Sequence, residues 1–215
     1  MVRFYLGKAP GSLHDNAIIM EKIMRIALTV VFLAFFAQLA FANEDMAPTD
    51  RGPAVGSIIP SDLASIDQYG MARNFETLTG DNGLVLVFFR SAKWCPFCKR
   101  QLIDIAAKSD AIVSRGYGLA ALSYDSVDIL KRFNDGHKLG YTLLSDHGSK
   151  IIDRFELRNE DYKNMAFAYG VPYPMIFIIS PDKVVLAKLA EEGYKDRPPV
   201  SAIVEAIDAL PATKE

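Results

Sequence analysis

Cys95 and Cys98 are the two cysteines of this 215-residue chain, so any thiol chemistry must run through them. They sit in Trp94-Cys95-Pro96-Phe97-Cys98. A C-x-x-C pair can be a redox couple, half of a zinc site or a structural bridge. A bridge spanning so short a loop removes little chain entropy and therefore stabilises little. Zinc would need two further ligands, and the three histidines are His14, His137 and His147. His14 lies in the leader, and the other two share no ligand spacing with the cysteines, so no metal is expected. The favoured chemistry is thiol–disulfide exchange, in which one thiolate attacks and the second sulfur resolves the mixed disulfide. No cofactor is expected beyond the redox-active Cys95–Cys98 disulfide itself.

The flanking sequence gives that spacing its meaning. Leu84 to Phe89 is a continuous apolar run after Gly80-Asp81-Asn82-Gly83, the pattern of a strand buried on both faces. Pro96 to about Ala107 follows as a helix: proline suits its first turn, and Leu102, Ile103 and Ile105-Ala106 supply an apolar face. Cys95 then falls at the helix N-terminus, where unpaired N–H groups and the macrodipole favour a thiolate. Cys98 lies one turn on, facing inward. Lys99 and Arg100 add positive charge on a solvated face. Trp94 is either a core aromatic or part of a flat docking surface, and with Pro96 and Phe97 it forms the candidate substrate-binding surface.

The remaining elements must position that turn. Gly118 to Leu122 reads as a second buried strand. Ser126 caps a helix to about Phe133. Tyr141 to Leu144 is a short strand and Ser149 to Phe155 a short helix. Met175 to Ile179 and Val184 to Leu189 are joined by Ser180-Pro181-Asp182-Lys183 as a hairpin. Pro199 to about Leu210 closes the domain as an amphipathic helix. Strands alternating with helices and ending in a hairpin require a central mixed sheet with helices on both faces, a three-layer α/β sandwich.

Upstream, Lys22 and Arg25 precede an almost wholly apolar run from Ile26 to Phe41, followed by Ala42 and polar Asn43-Glu44-Asp45. This is the layout of a signal peptide over residues 24–42, with cleavage after Ala42. Its core is shorter than the roughly 20 residues of a comfortable membrane span. A periplasmic or secreted location follows, with membrane contact only if the segment stays uncleaved as an anchor. Residues 1–23 fit an extension ahead of a true start at Met20 or Met24. Residues 43–57 read as a Pro/Gly-bearing linker and residues 58–215 as the folded domain. A net charge of −2 gives no reason to expect a nucleic-acid partner.

From about Ile58 to Leu210 the chain resembles the thioredoxin superfamily. Within it, the resemblance is to the redoxin branch, the alkyl hydroperoxide reductase/thiol-specific antioxidant family, in a peroxiredoxin-like form carrying a C-P-x-C site. The segments that carry the resemblance are Val87-Phe88-Phe89-Arg90 leading to Trp94–Cys98, Ser123-Tyr124-Asp125-Ser126, Leu144-Ser145-Asp146, and Pro174 before Met175–Ile179. The resemblance implies a thioredoxin-like sandwich and thiol chemistry. In such a sheet the Tyr173-Pro174 loop faces the cysteine helix. Pro172 and Pro174 either stiffen the loop as ordinary trans prolines, or Pro174 is cis and exposes backbone groups to an extended substrate. Its position beside the site favours cis.

Three departures decide the functional reading. The family's threonine three residues before the first cysteine is Ala92 here. Its peroxide-polarising arginine is replaced by Tyr173 and Pro174, with Arg90 the candidate substitute. The buried acid that thioredoxins carry six residues before the first cysteine is Phe89. A peroxide needs hydrogen-bond donors aimed at its developing charge, and losing both typical groups would cost several kcal/mol of barrier. The sequence therefore ranks an exported thiol–disulfide oxidoreductase first, with a protein thiol or disulfide as partner. A thiol peroxidase acting on hydroperoxides, in an antioxidant role, comes second. A copper-binding assembly factor comes third, because cysteines in such proteins are usually three residues apart and neither His137 nor His147 is placed at the site.

Overall fold

The computed structural model describes residues 50–193 and 195–211. The extension, the signal segment and the start of the linker lie outside the described residues. In chain order the elements are β1 (Ser65–Asp67), β2 (Ala72–Arg73), α1 (Phe75–Leu78), β3 (Gly83–Phe88), α2 (Pro96–Ala107), α3 (Asp110–Val113), β4 (Tyr117–Ser123), α4 (Val127–His137), β5 (Thr142–Ser145), α5 (Lys150–Arg154), β6 (Met175–Ile179), β7 (Val185–Leu189) and α6 (Val200–Asp208). A turn of 3-10 helix covers Glu160–Tyr162.

The sheet has seven strands in the order β2-β1-β5-β4-β3-β6-β7. β3 pairs parallel with β4, and β4 parallel with β5, as helical crossovers require. β6 runs antiparallel to β3 and to β7, which makes the sheet mixed as the sequence predicted. β3 lies inside the sheet between β4 and β6, so its side chains serve two cores. Leu84, Leu86 and Phe88 pack with Phe75, Ile151, Ile152 and Phe155 on one face. Val85, Val87 and Phe89 pack on the other with Leu102 and Ile105 of α2, Leu130 and Phe133 of α4, and Ile203 and Ile207 of α6. Helices thus cover both faces, and the three-layer thioredoxin-like sandwich stands.

Several local expectations change. Residues 58–79, unassigned from sequence, form β1, β2 and α1. The β1–β2 turn is organised by buried Asp67, whose carboxylate accepts from Tyr69 N–H (2.8 Å), Met71 N–H (3.0 Å) and Arg73 Nε (2.8 Å). α4 continues to His137, a full turn beyond Phe133. Ser126 is its N-cap residue but makes no side-chain capping bond. The latter part of the segment read as linker is tied to the body: Gly56 N–H donates to Val185 O and Val185 N–H to Ser57 O, at 2.8 and 2.9 Å.

Candidate functional site

The site is built at the end of β3, where the chain leaves the sheet and enters α2. Phe89 N–H still donates to Leu122 O on β4 (3.0 Å). The following loop is then pinned by one buried carboxylate. Asp125 accepts from Ser91 Oγ at 2.8 Å and from Ala92 N–H at 2.6 Å. Ser91 Oγ in turn accepts from the Lys93 and Trp94 N–H groups at 2.9 and 3.4 Å. Burial pushes the Asp125 carboxyl above its ordinary range against these hydrogen bonds, which favour the charged form. The loops after two adjacent parallel strands are thereby locked together immediately ahead of the first cysteine.

Cys95 is itself the N-cap residue of α2. Its backbone is extended (φ −91°, ψ 101°), Pro96 occupies the first helical turn, and its Sγ accepts the N–H of Cys98 at 3.2 Å. Sulfur here takes the place that a serine or aspartate oxygen usually holds at a helix start. An unpaired backbone donor and the helix dipole therefore converge on it, the arrangement that stabilises a thiolate. Cys98 lies one turn in, bonded to Cys95 as a disulfide with Cα atoms 5.3 Å apart. Both cysteines are fully buried.

The other predicted residues surround this pair in two groups. Trp94 is half-buried, donates from Nε1 to Tyr124 Oη at 2.8 Å, and meets the Phe167 ring edge-on at 5.7 Å. Tyr124 Oη passes the bond on to Phe167 O at 2.6 Å. A cavity of about 640 Å³ opens here, lined by Trp94, Tyr124, Phe167, Tyr169 and, at its polar side, Lys93 and Arg158. Pro96 is exposed and Phe97 half-buried.

Tyr173 and Pro174 line a second cavity, about 220 Å³, with Arg51, Arg90 and Arg197. Arg51 stacks over the Tyr173 ring at 4.1 Å. Pro174 stands directly before β6, as its missing donor requires. The expected cis bond is not found: every peptide among the described residues is trans. In this loop Tyr173 N–H donates to Leu157 O at 2.7 Å, and Pro172 forms an isolated antiparallel bridge with Arg158.

Arg90, the candidate substitute for the family arginine, is 2% exposed. Its Nη1 donates to Tyr162 Oη at 3.1 Å, and its guanidinium lies 5.9 Å from the Trp94 ring centre. Sequence reasoning missed two residues. Asp125 carried a usable signal, standing in Ser123-Tyr124-Asp125-Ser126 at the carboxyl end of a buried strand, where ligand and loop residues collect in such sheets. Arg197 carried none, because 99 positions separate it from Cys98, yet its Nη2 donates to Cys98 Sγ at 3.7 Å. Neither His137 nor His147 reaches the sulfurs: His137 packs on Phe133 at 4.6 Å, and His147 lies at the rim of the larger cavity. Among the described residues, no three His, Cys, Asp or Glu side chains gather where they could hold a metal ion.

Comparison with known proteins agrees with this geometry. The profile of the AhpC/TSA family matches residues 55–188. The rice protein named 1-Cys peroxiredoxin B is 24% identical over 166 residues, covering 74% of this chain and 73% of its own length. Peroxiredoxin Bcp of Escherichia coli is 28% identical over 127 residues, covering 59% of this chain and 79% of its own. In three dimensions, peroxidoxin BcpB from Mycobacterium tuberculosis superposes with a TM-score of 0.64 at 20% identity, over 74% of this chain and 98% of that one. Reduced Prx3 from Vibrio vulnificus, in complex with hydrogen peroxide, superposes at 0.62 and 16% identity, over 72% of this chain and 99% of that one. The chain belongs to the AhpC/TSA family and is an oxidoreductase of that family.

Proposed function

We propose that the protein is a thiol peroxidase in which Cys95 is oxidised by a hydroperoxide and Cys98 closes the disulfide. The observation that carries this reading is Cys95 Sγ at the mouth of α2, accepting the Cys98 N–H, inside the region matched by the AhpC/TSA profile. A thiolate so placed is a nucleophile at neutral pH. The resolving sulfur is one turn away, so oxidation need not recruit a second chain. The names of the relatives weigh for this peroxidase, which the sequence alone ranked behind disulfide exchange. No cofactor is required beyond the two sulfurs, and the reductant is an external thiol.

Disulfide exchange with a protein partner is kept as a second reading on one observation. The Ala92 N–H is already committed to Asp125, and residue 92 offers no hydroxyl to a peroxide. We further propose that the reaction takes place in an exported, oxidising compartment; the support is the charged, apolar, small-residue order of residues 22–42. Two assays test the function. Purified protein is supplied with a dithiol and either hydroperoxide or a protein disulfide, with Cys95→Ser as control. Hydroperoxide turnover lost in Cys95→Ser supports the peroxidase; disulfide reduction without peroxide turnover overturns it. A mature chain beginning at Asn43 in the exported fraction supports export, and an intact leader in the cytosol contradicts it.

A further inference from the structure

The contact of Arg197 with the second sulfur carries an inference of its own. Cys98 is fully buried, and burial alone raises a thiol's pKa and weakens it as a nucleophile. Against that stands a guanidinium whose Nη2 donates to Cys98 Sγ at 3.7 Å. The arginine is held from behind, with Nη1 on the Asp196 carbonyl, and is followed by buried Pro198 and by Pro199, the N-cap of α6. Charged groups share this end of the molecule. Arg100 and Asp104 of α2 line a cavity with Lys195 and Asp196, and Arg90, Glu191 and Glu192 line the neighbouring one. Arg197 lines both cavities and also touches the sulfur.

We propose that Arg197 is a catalytic residue of the resolving step, holding Cys98 as a thiolate so that it closes rapidly on oxidised Cys95. The peroxide half of this cycle rests on the function proposed above. There, the Cys95 thiolate attacks a hydroperoxide oxygen and the O–O bond breaks. The alkoxide or hydroxide leaves and takes a proton, and Cys95 becomes a sulfenic acid. The Cys98 thiolate then attacks Cys95 Sγ, the S–O bond breaks, and hydroxide takes a proton and departs as water. An external thiol pair returns two electrons by attacking Cys95 Sγ. Cys98 is now the leaving group, its negative charge forms beside Arg197, and a stabilised leaving thiolate departs faster. Cation and buried sulfur thus serve both directions of the disulfide.

The test isolates Cys98 in a Cys95→Ser background and follows thiolate absorbance against pH with Arg197 intact, Arg197→Lys and Arg197→Met. With Arg197 intact, Cys98 should titrate below the roughly 8.5 of a free thiol; Arg197→Met should raise it by about one unit, a tenfold loss of thiolate at neutral pH, and Arg197→Lys should recover part. Arg197→Gln replaces the methionine variant if that one fails to fold. In the two-cysteine protein, Arg197→Met should accumulate several-fold more Cys95 sulfinic acid under repeated peroxide, read by mass spectrometry, because the sulfenic acid waits longer. Identical Cys98 titrations in all variants would overturn the proposal even with peroxide turnover intact. The expected titration shift without peroxide turnover would support Arg197 and overturn the peroxidase instead.

Discussion

Cys95 and Cys98 are three residues apart, yet their surroundings are built in different ways. Cys95 draws on local structure: an extended N-cap, proline in the first turn and a backbone N–H on the sulfur. Its neighbour Trp94 opens onto a wide aromatic cavity. Cys98 is served by a side chain from the far end of the chain, Arg197, which lines a narrower cavity rich in charged groups. An attacking sulfur made by backbone comes with any strand–C-x-x-C–helix turn. The contact of a distant arginine with the second sulfur, by contrast, has to be assembled by the whole fold.

Breaking the sulfurs separately should give the largest effects. Cys95→Ser should abolish turnover with hydroperoxide. Cys98→Ser should permit one oxidation per chain and then stop at Cys95 sulfenic acid, detectable by a dimedone adduct and mass. Asp125→Ala comes next, removing the shared anchor of the loop ahead of both sulfurs. Two buried donors would lose their acceptor, at about 1–3 kcal/mol each before relaxation. A loss of about 2 kcal/mol in denaturant unfolding is therefore expected at low pH. Burial raises the Asp125 pKa in the fold, so its contribution is fully present below the ordinary carboxylate range and is lost as pH rises through the folded value. The deficit of Asp125→Ala should accordingly narrow from acid toward neutral pH.

Trp94→Ala sharpens the comparison on the aromatic side. Removing one wall of that cavity should raise KM for a bulky organic hydroperoxide about tenfold, near 1.4 kcal/mol. The KM for hydrogen peroxide, which needs no wall, should stay within about twofold on the same reasoning. Equal changes for both substrates would show that Trp94 only packs. The smallest effect belongs to Asp67, at the remote β1–β2 edge. Burial raises its pKa, but hydrogen bonds from Met71, Arg73 and Tyr69 outweigh this and hold the carboxyl below its ordinary range. Its stabilisation is present above the unfolded value, near about 4, and is lost as pH falls through the folded one. Asp67→Asn should thus cost roughly 1 kcal/mol at neutral pH, a difference that closes as pH falls below the ordinary carboxylate range, with catalysis unchanged.

Particular residues show how much of this was legible in the sequence. The run Leu84–Phe89 announced a strand buried on both faces, and Pro96 marked the helix that carries the cysteines, because burial and capping leave local composition behind them. Residues 58–79 did not announce β1, β2 and α1: strands of three and two residues are too short to show a period, and the turn between them is held by the Asp67 carboxylate. Ser126 was legible as a helix boundary, though its side chain makes no cap. Pro174 was placed correctly at the start of β6, but its peptide is trans where the sequence favoured cis, because an X-Pro isomer leaves no trace in local composition. Arg197 depends entirely on how the sheet brings residues 98 and 197 together.

Mixing fully reduced protein with one equivalent of hydroperoxide, then quenching and weighing it, addresses the central claim most directly. The expected result is one Cys95–Cys98 disulfide per peroxide consumed, formed far faster than peroxide reacts with free cysteine, with Cys98→Ser arrested at a Cys95 sulfenic acid. A dithiol that peroxide touches no faster than free cysteine, while a protein disulfide oxidises it at once, would contradict the peroxidase and return the protein to disulfide exchange.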